Sequence, residues 1–274
     1  MNYYFEMDGG LGDVLHKLYS QGEYRQIENL DPEDRAEIVL ITTNPFADEL
    51  FKWHPKRKQL KIRILPAWSR HIEDEDSERR ARYELPPKSH ISRVPHSSEV
   101  VKFYPSPSDL DVITRLGNQK YFVFAASSYE EYKIFPPAVF SMICQQAKEL
   151  QIKLVAVGRN YTAQNGMRRY EPRDPENPNI IDLIDKLSVP GTARVVEGAQ
   201  GVVCSHSSIN LLAWHLKKPT LLFYPQEIYD AHVIHGPTRY TTFGLEYPTT
   251  RHALFKDCTV EMIREFFTMT NGLM

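Results

Sequence analysis

The stretch MDGGLGDVLHKL, residues 7–18, sets three glycines and an aspartate in five positions between two apolar runs. Before it, NYYFEM is a short aromatic run, and after it VLHKLYSQ puts Val14, Leu15, Leu18 and Tyr19 on one helical face. The segment reads as strand, tight loop, helix. Gly9, Gly10 and Gly12 let the backbone turn sharply and let a ligand reach main-chain N–H groups, while the helix start offers the positive end of its dipole. That is the physics of an anion-binding loop. A dinucleotide fingerprint would read GxGxxG, and GGLGDV lacks the third glycine; a Walker lysine is absent as well. Asp13 is the residue that needs explaining. It reads either as a helix cap accepting backbone N–H bonds or as a carboxylate able to take a proton from an attacking hydroxyl.

Working outward, AEIVLITTN is a continuous apolar run of the kind buried on both faces of a parallel sheet, PFADELFKW a helix and QLKIRILP a third strand. From Ala67 to about Pro107 the chain is polar and densely charged (HIEDEDSERRAR), which reads as a solvated excursion with one or two strands near EVVKFYP, or as a mobile segment that grips an acceptor. Periodicity then resumes. KYFVFAA, IKLVAVG, NIIDLI, GVVCS and PTLLFYP read as strands, and PAVFSMICQQAKELQ, VPGTARVVEGAQ, SINLLAWHLKK and TVEMIREFFTM as helices. In SINLLAWHL, Ile209, Leu212, Ala213 and Leu216 recur at i, i+3, i+4 and i+7, a face laid on a sheet. Alternating strands and helices in both halves predict an α/β protein with parallel sheets. Because the alternation breaks once, the expectation is two Rossmann-like domains, 1–107 and 108–274, with a cleft between them.

Composition narrows the classes. A formal net charge of −2 gives no global positive field for nucleic acid or an anionic membrane. Cys144, Cys204 and Cys258 are odd in number and in no CxxC arrangement, so neither a disulfide framework nor a zinc site is indicated, and a cytoplasmic setting is expected. No apolar run approaches the ~18 residues of a membrane span, and the N-terminus lacks a signal-peptide pattern.

GGLGDVLHKL resembles the N-terminal motif of GT-B glycosyltransferases. GDVLHKL is most similar to the GDVLHTLPAL-type segment of the ADP-heptose:lipopolysaccharide heptosyltransferases, glycosyltransferase family 9, whose aspartate is the proposed catalytic base. GGLGDVL also resembles the loop of starch and glycogen synthases, which are far longer chains. Further positions carry the heptosyltransferase resemblance. FAASSYEEYKIFPPAVF has Ser127 and Ser128 after a strand and Lys133 before an aromatic-proline pair, which implies that Lys133 contacts a donor diphosphate. LVAVGRN makes Gly158 and Arg159 donor-side candidates, and CSHSSINLL brings Ser205, His206, Ser207 and Ser208 to the loop that holds phosphates and part of the sugar. Here the chain departs from the family: His206 stands at its aspartate and Leu211 at its helix histidine. A histidine can donate or carry positive charge, so His206 reads as a phosphate contact or as a cap or core histidine, and the donor sugar stays open.

The resemblance implies a GT-B protein with an acceptor domain and a donor domain, in which Asp13 deprotonates an acceptor hydroxyl and a single displacement inverts the anomeric carbon. It implies no cofactor and no bound metal, only a nucleotide sugar as co-substrate. The acceptor is left open among a glycan, a protein side chain and a hydroxylated DNA base, with Arg57, Lys58 and Lys61 available to a polyanion; the oligomeric state is open too. Rival readings are a nucleotide-sugar epimerase of the same fold and a non-catalytic nucleotide-binding module, while an NAD-dependent oxidoreductase is weakened by the glycine spacing. His232 and His235 lack a third metal ligand nearby, Glu197 reads as a helix surface, and YEEY (129–132) as packing or an acceptor groove.

Overall fold

A computed structural model describes residues 2–8, 11–20, 23–42, 44–65, 73–87, 102–128, 131–162, 166, 168–169, 171–229 and 250–272. The chain divides into two compact units, residues 1–104 and 105–274.

Unit 1 is built on three parallel strands, β1 (Asn2–Asp8), β2 (Arg35–Ile41) and β3 (Leu60–Leu65), in the order β1-β2-β3. β2 is central, and its residues 38–41 are buried without alternation, as a strand covered on both faces must be. Helix α1 (Leu11–Ser20) follows β1 and buries Val14, Leu15 and Leu18 of the face read from the sequence; the side chain of Tyr19 lies outside the described residues. Helix α2 (Glu23–Glu28) was not visible as a separate period. The helix expected across PFADELFKW shrinks to α3 (Glu49–Lys52). Local side-chain bonds explain the loss: Thr42 Oγ1 accepts from the Asn44 N–H at 3.1 Å, and Asn44 Oδ1 from the Phe46 N–H at 2.9 Å, holding the entry as turns.

The charged run is more than a solvated excursion. It forms α4 (Glu73–Arg82), and Arg80 Nη2 turns inward to grip both oxygens of Glu6 on β1, at 2.8 and 2.9 Å, with both side chains largely buried. A charge-assisted bond of this kind lets a guanidinium nitrogen and a carboxylate satisfy each other inside, while Nη1 of the same side chain donates to the Pro86 carbonyl. Of EVVKFYP, the described residues 102–105 form no strand, and residues 99–101 lie outside the described residues.

Among its described residues unit 2 holds a sheet of six parallel strands: β4 (Tyr121–Ala125), β5 (Lys153–Ala156), β8 (Ile180–Asp182), β9 (Gly201–Ser205), β10 (Thr220–Tyr224) and β11 (Thr250–Leu254). Their order is β11-β10-β9-β4-β5-β8, with Ala125 beside Cys204 where β4 meets β9. In order of appearance this is 3-2-1-4-5-6, the doubly wound sheet whose connections reverse between its first and fourth strands. A small antiparallel ribbon, β6 (Tyr161–Thr162) with β7 (Arg168–Arg169), stands after β5.

The helices start where caps allow. Ser106 caps α5 (Pro107–Leu116) in a reciprocal box with Asp109, Ser188 caps α7 (Val189–Gly198), Ser207 caps α8 (Ser208–His215), and Thr259 caps the last helix, α10 (Val260–Asn271). Between them lie α6 (Pro137–Glu149) and the short α9 (Gln226–Tyr229). One face of the sheet packs phenylalanines: Phe122 meets Phe267 of α10 edge-on at 4.9 Å, and Phe135 meets Phe223 at 5.3 Å. Each such buried ring contributes roughly 1.5–3 kcal/mol. α8 lies on β9 and β10 through Ile209, Leu212, Ala213 and Leu216, all buried. Among the described residues no helix is long and apolar enough to cross a membrane.

Candidate active site at the carboxyl edge

In a doubly wound sheet the crevice opens where the connections reverse, outside the carboxyl ends of the strands. Here that point lies between β4 and β9 of unit 2. The residues that follow those strands are Ser127–Ser128 and His206–Ser208. Sequence reasoning placed them on separate loops; the topology makes them neighbours. Ser205 Oγ donates to the Ser127 carbonyl at 3.0 Å, so the two strand ends are tied directly. Both serines are fully buried and Ser128 nearly so, whereas His206, Ser207 and Ser208 are half-buried.

Ser207 is the N-cap of α8: its hydroxyl accepts the Ile209 N–H at 3.4 Å, and its own N–H donates to Asn210 Oδ1 at 2.8 Å. His206 donates its backbone N–H to the Phe223 carbonyl at 3.1 Å, and its ring stacks on Tyr224 at 5.2 Å, with Tyr224 stacked in turn on His252. A partly open imidazole before a helix N-terminus is suited to an anionic oxygen. Lys133 ends a 3₁₀ turn (Glu131–Lys133) after β4, half-buried, with its ammonium 5.6 Å from the Tyr132 ring centre. Tyr132 itself is 49% exposed, while Tyr129 and Glu130 lie outside the described residues.

Gly158 and Arg159 follow β5. Gly158 has φ +142, and a Cβ built there would stand 2.1 Å from Glu171 Oε1. That carboxylate fills the glycine's missing side-chain space. It belongs to a hydrogen-bonded line along the carboxyl edge that no local spacing announces. Asn160 donates from its N–H and its amide to both oxygens of Asp185, each at 2.7 Å, and its Oδ1 accepts the Glu171 N–H at 2.8 Å. Glu171 Oε1 accepts from Arg169 Nε and Nη2 at 2.9 and 2.6 Å, and the same Nε donates to Ser127 Oγ at 3.2 Å. Burial works against the charge on Arg169, and Glu171 together with Tyr161 outweighs it, so the guanidinium is held above its usual value. Asn160, Arg169, Glu171 and Asp185 are the residues sequence reasoning missed. Asp185, at φ +65, is one visible trace of the strain this edge carries.

In unit 1 the backbone puts Gly12 and Asp13 as the second and third residues of α1, so Asp13 sits inside the first turn and not at the capping position before it. Gly9, Gly10 and the side chain of Asp13 lie outside the described residues. The basic trio is a correction. Arg57 and Lys58 precede β3, and Lys61 is its second residue, so all three occupy the amino edge of a parallel sheet whose carboxyl edge leads to Asp13. Lys61 is paired with Glu37 at 3.2 Å, and Arg57 donates to the Leu60 carbonyl at 2.8 Å. They do not line a site with Asp13. Glu197 is a helix-surface residue paired with Arg194, and His232 and His235 lie outside the described residues. No group of three or more His, Cys, Asp or Glu among the described residues is placed to hold a metal ion.

A family model described as Glycosyltransferase family 9 (heptosyltransferase) matches residues 74–228, more than half of the chain and including every unit 2 residue named above as a donor-side candidate. The chain belongs to glycosyltransferase family 9. Among solved structures it is similar to E. coli heptosyltransferase WaaC with ADP-2-deoxy-2-fluoro heptose, at 14% identity and a TM-score of 0.55 over 98% of this chain and 99% of that one. E. coli ADP-heptose lps heptosyltransferase II matches at 10% identity and a TM-score of 0.59, covering 98% of both chains. A family 9 glycosyl transferase from Veillonella parvula DSM 2008 matches at 9% identity and a TM-score of 0.58, over 100% of this chain and 98% of that one. At such identities the likeness is one of fold: mixed α/β with parallel sheets, as in the GT-B heptosyltransferases. Among curated proteins no sequence match is found. As a family 9 member the chain carries the architecture of a nucleotide-sugar glycosyltransferase. Residues 126–137, which follow β4 in the chain, contain no glycine.

Proposed function

We propose that the protein transfers a sugar from a nucleoside-diphosphate sugar to an acceptor hydroxyl, with inversion at the anomeric carbon and without a metal ion. The observation that carries this reading is the convergence, at the reversal point of a family 9 donor sheet, of His206, Ser207 and Ser208 with the N-terminus of α8. Such a site favours a group that gains negative charge as it leaves. In the proposed step the Asp13 carboxylate takes the proton of the acceptor hydroxyl while that oxygen attacks the anomeric carbon. The bond from that carbon to the diphosphate breaks, and the electron pair stays on the departing nucleoside diphosphate. Lys133, His206 and the first N–H groups of α8 neutralise it; Ser127, Ser128 and Ser205 brace the loops from below, and Gly158 and Arg159 border the nucleoside.

ADP-sugars head the list of donors to try, because the WaaC structures hold ADP and an ADP-heptose analogue. With His206 where the family has a carboxylate, heptose is one candidate among several sugars. Asp13→Asn is the direct test. It should bind the nucleotide sugar like the wild type and lose roughly 10²–10⁴-fold in kcat, with EDTA leaving wild-type turnover unchanged. An Asp13→Asn variant with undiminished kcat would remove the base from the reading, and release of an isomerised sugar nucleotide without acceptor would identify an epimerase instead.

A further inference from the structure

We infer that Arg169 is a positioning residue for the donor: pinned by Glu171, it holds Ser127 and, through the Ser127–Ser205 tie, sets the separation of the two loops between which the diphosphate lies. The inference rests on the donor reading above and goes beyond it, because neither residue lies on a strand of the main sheet or in any loop assigned to the donor.

The geometry is specific. Arg169 comes from the ribbon after β5, and its partners sit 42 residues upstream and two residues downstream. Its side chain is 8% exposed and that of Glu171 is 1% exposed. Burying such a pair is costly, and apolar residues of similar volume commonly stabilise a fold as well or better, so stability alone does not account for it. What an apolar pair cannot do is aim a hydrogen bond. The single Nε proton is shared between Glu171 Oε1 and Ser127 Oγ, so the ion pair fixes the direction from which Ser127 is held. Ser127 in turn offers its carbonyl to Ser205 Oγ, the last side chain before His206. One guanidinium therefore holds the residue after β4 directly and reaches the end of β9 through the Ser127 carbonyl. Glu171 also closes on Gly158, so the same pair locks the exit of β5.

Two variants of the full-length protein test this. Arg169→Met with Glu171→Leu removes both charges and keeps the volume; Ser127→Ala leaves the ion pair intact and removes only the acceptor of its aimed bond. Both are assayed with whichever of the ADP-, UDP-, GDP- and CMP-sugars stabilises the wild type. The expected result is a melting temperature within a few degrees of wild type for Ser127→Ala, a donor KM raised roughly tenfold in both variants, and kcat changed by less than about threefold. Arg169→Lys, which keeps charge but not the fork, should lie between them and the wild type. A donor KM unchanged in Ser127→Ala would overturn the inference even if the double variant failed to fold. A wild type that binds no nucleotide sugar would sink the donor reading itself, a separate outcome visible before any variant is made.

Discussion

Gly158 shows how one residue can be specified from two directions. Its φ of +142 is a conformation L side chains rarely adopt, and the space a methyl group would need is taken by Glu171. Because Arg169 holds that carboxylate by two bonds, it cannot swing away cheaply. Gly158→Ala should therefore destabilise the protein by about 2–4 kcal/mol, the strain of the backbone plus the forced displacement. In a Glu171→Ala background the same substitution should cost less, since only the backbone part remains. Chemical denaturation of the four proteins measures this; equal costs in both backgrounds would mean that Glu171 can move aside. Sequence reasoning singled out Gly158 by resemblance, yet it could not see Glu171. MRRYEPRD has no apolar period, and no spacing connects Arg169 to a serine 42 positions earlier. Only the folded ribbon does.

At the scale of elements, the best-read segments are those whose burial leaves no choice. YFVFA, GVVCS and TLLFY are buried at every position, and a continuous apolar run bounded by polar residues has few other places to go. Elements that depend on caps and pairings were harder to read. α5 is fixed by Asp109, which closes the capping box with Ser106 and also accepts the N–H and hydroxyl of Ser188, the cap of α7, at 2.8 and 2.5 Å. One carboxylate thus serves its own helix start and that of a helix whose cap lies 79 residues further along the chain. Burial tends to raise its pKa, and the bonds from Ser188 and Ser106 outweigh that, holding the carboxyl below the ordinary value of 3.8. The sign follows: the native state binds this proton less readily than the unfolded chain, so the stabilisation is present above about pH 4 and is lost as pH falls below it. Asp109→Ala, which leaves the capping serines Ser106 and Ser188 without the carboxylate that holds them, should cost about 1–4 kcal/mol at neutral pH. It should also show a shallower acid-side loss of stability than the wild type. Parallel acid profiles would mean that Asp109 is not ionised in the native state.

For the molecule as a whole, the two units are unequal. Among the described residues, those of 105–274 hold a six-stranded sheet and the phenylalanine core, whereas those of 1–104 hold three strands. A fragment of residues 105–274 should fold alone, with a cooperative thermal transition and the circular dichroism of an α/β domain. A broad, non-cooperative melt would show that its core depends on unit 1. The fold class was legible in the chain because strand and helix periods alternate over most of its length. The donor-side cluster was legible only in part: Ser127, Ser205 and His206 could be named from resemblance, but their meeting at the reversal between β4 and β9 is a property of strand order, which no single segment encodes.

The most direct measurement is the thermal shift of the full-length protein with ADP-, UDP-, GDP- and CMP-sugars, beside Lys133→Ala and His206→Ala. At a hundredfold excess over Kd, one of these donors should stabilise the wild type by about 2.7 kcal/mol, and both substitutions should shrink that shift while leaving the unliganded melting temperature nearly unchanged. If no nucleotide sugar moves the melting temperature, or if the shift survives both substitutions intact, the donor does not lie at the carboxyl edge between β4 and β9.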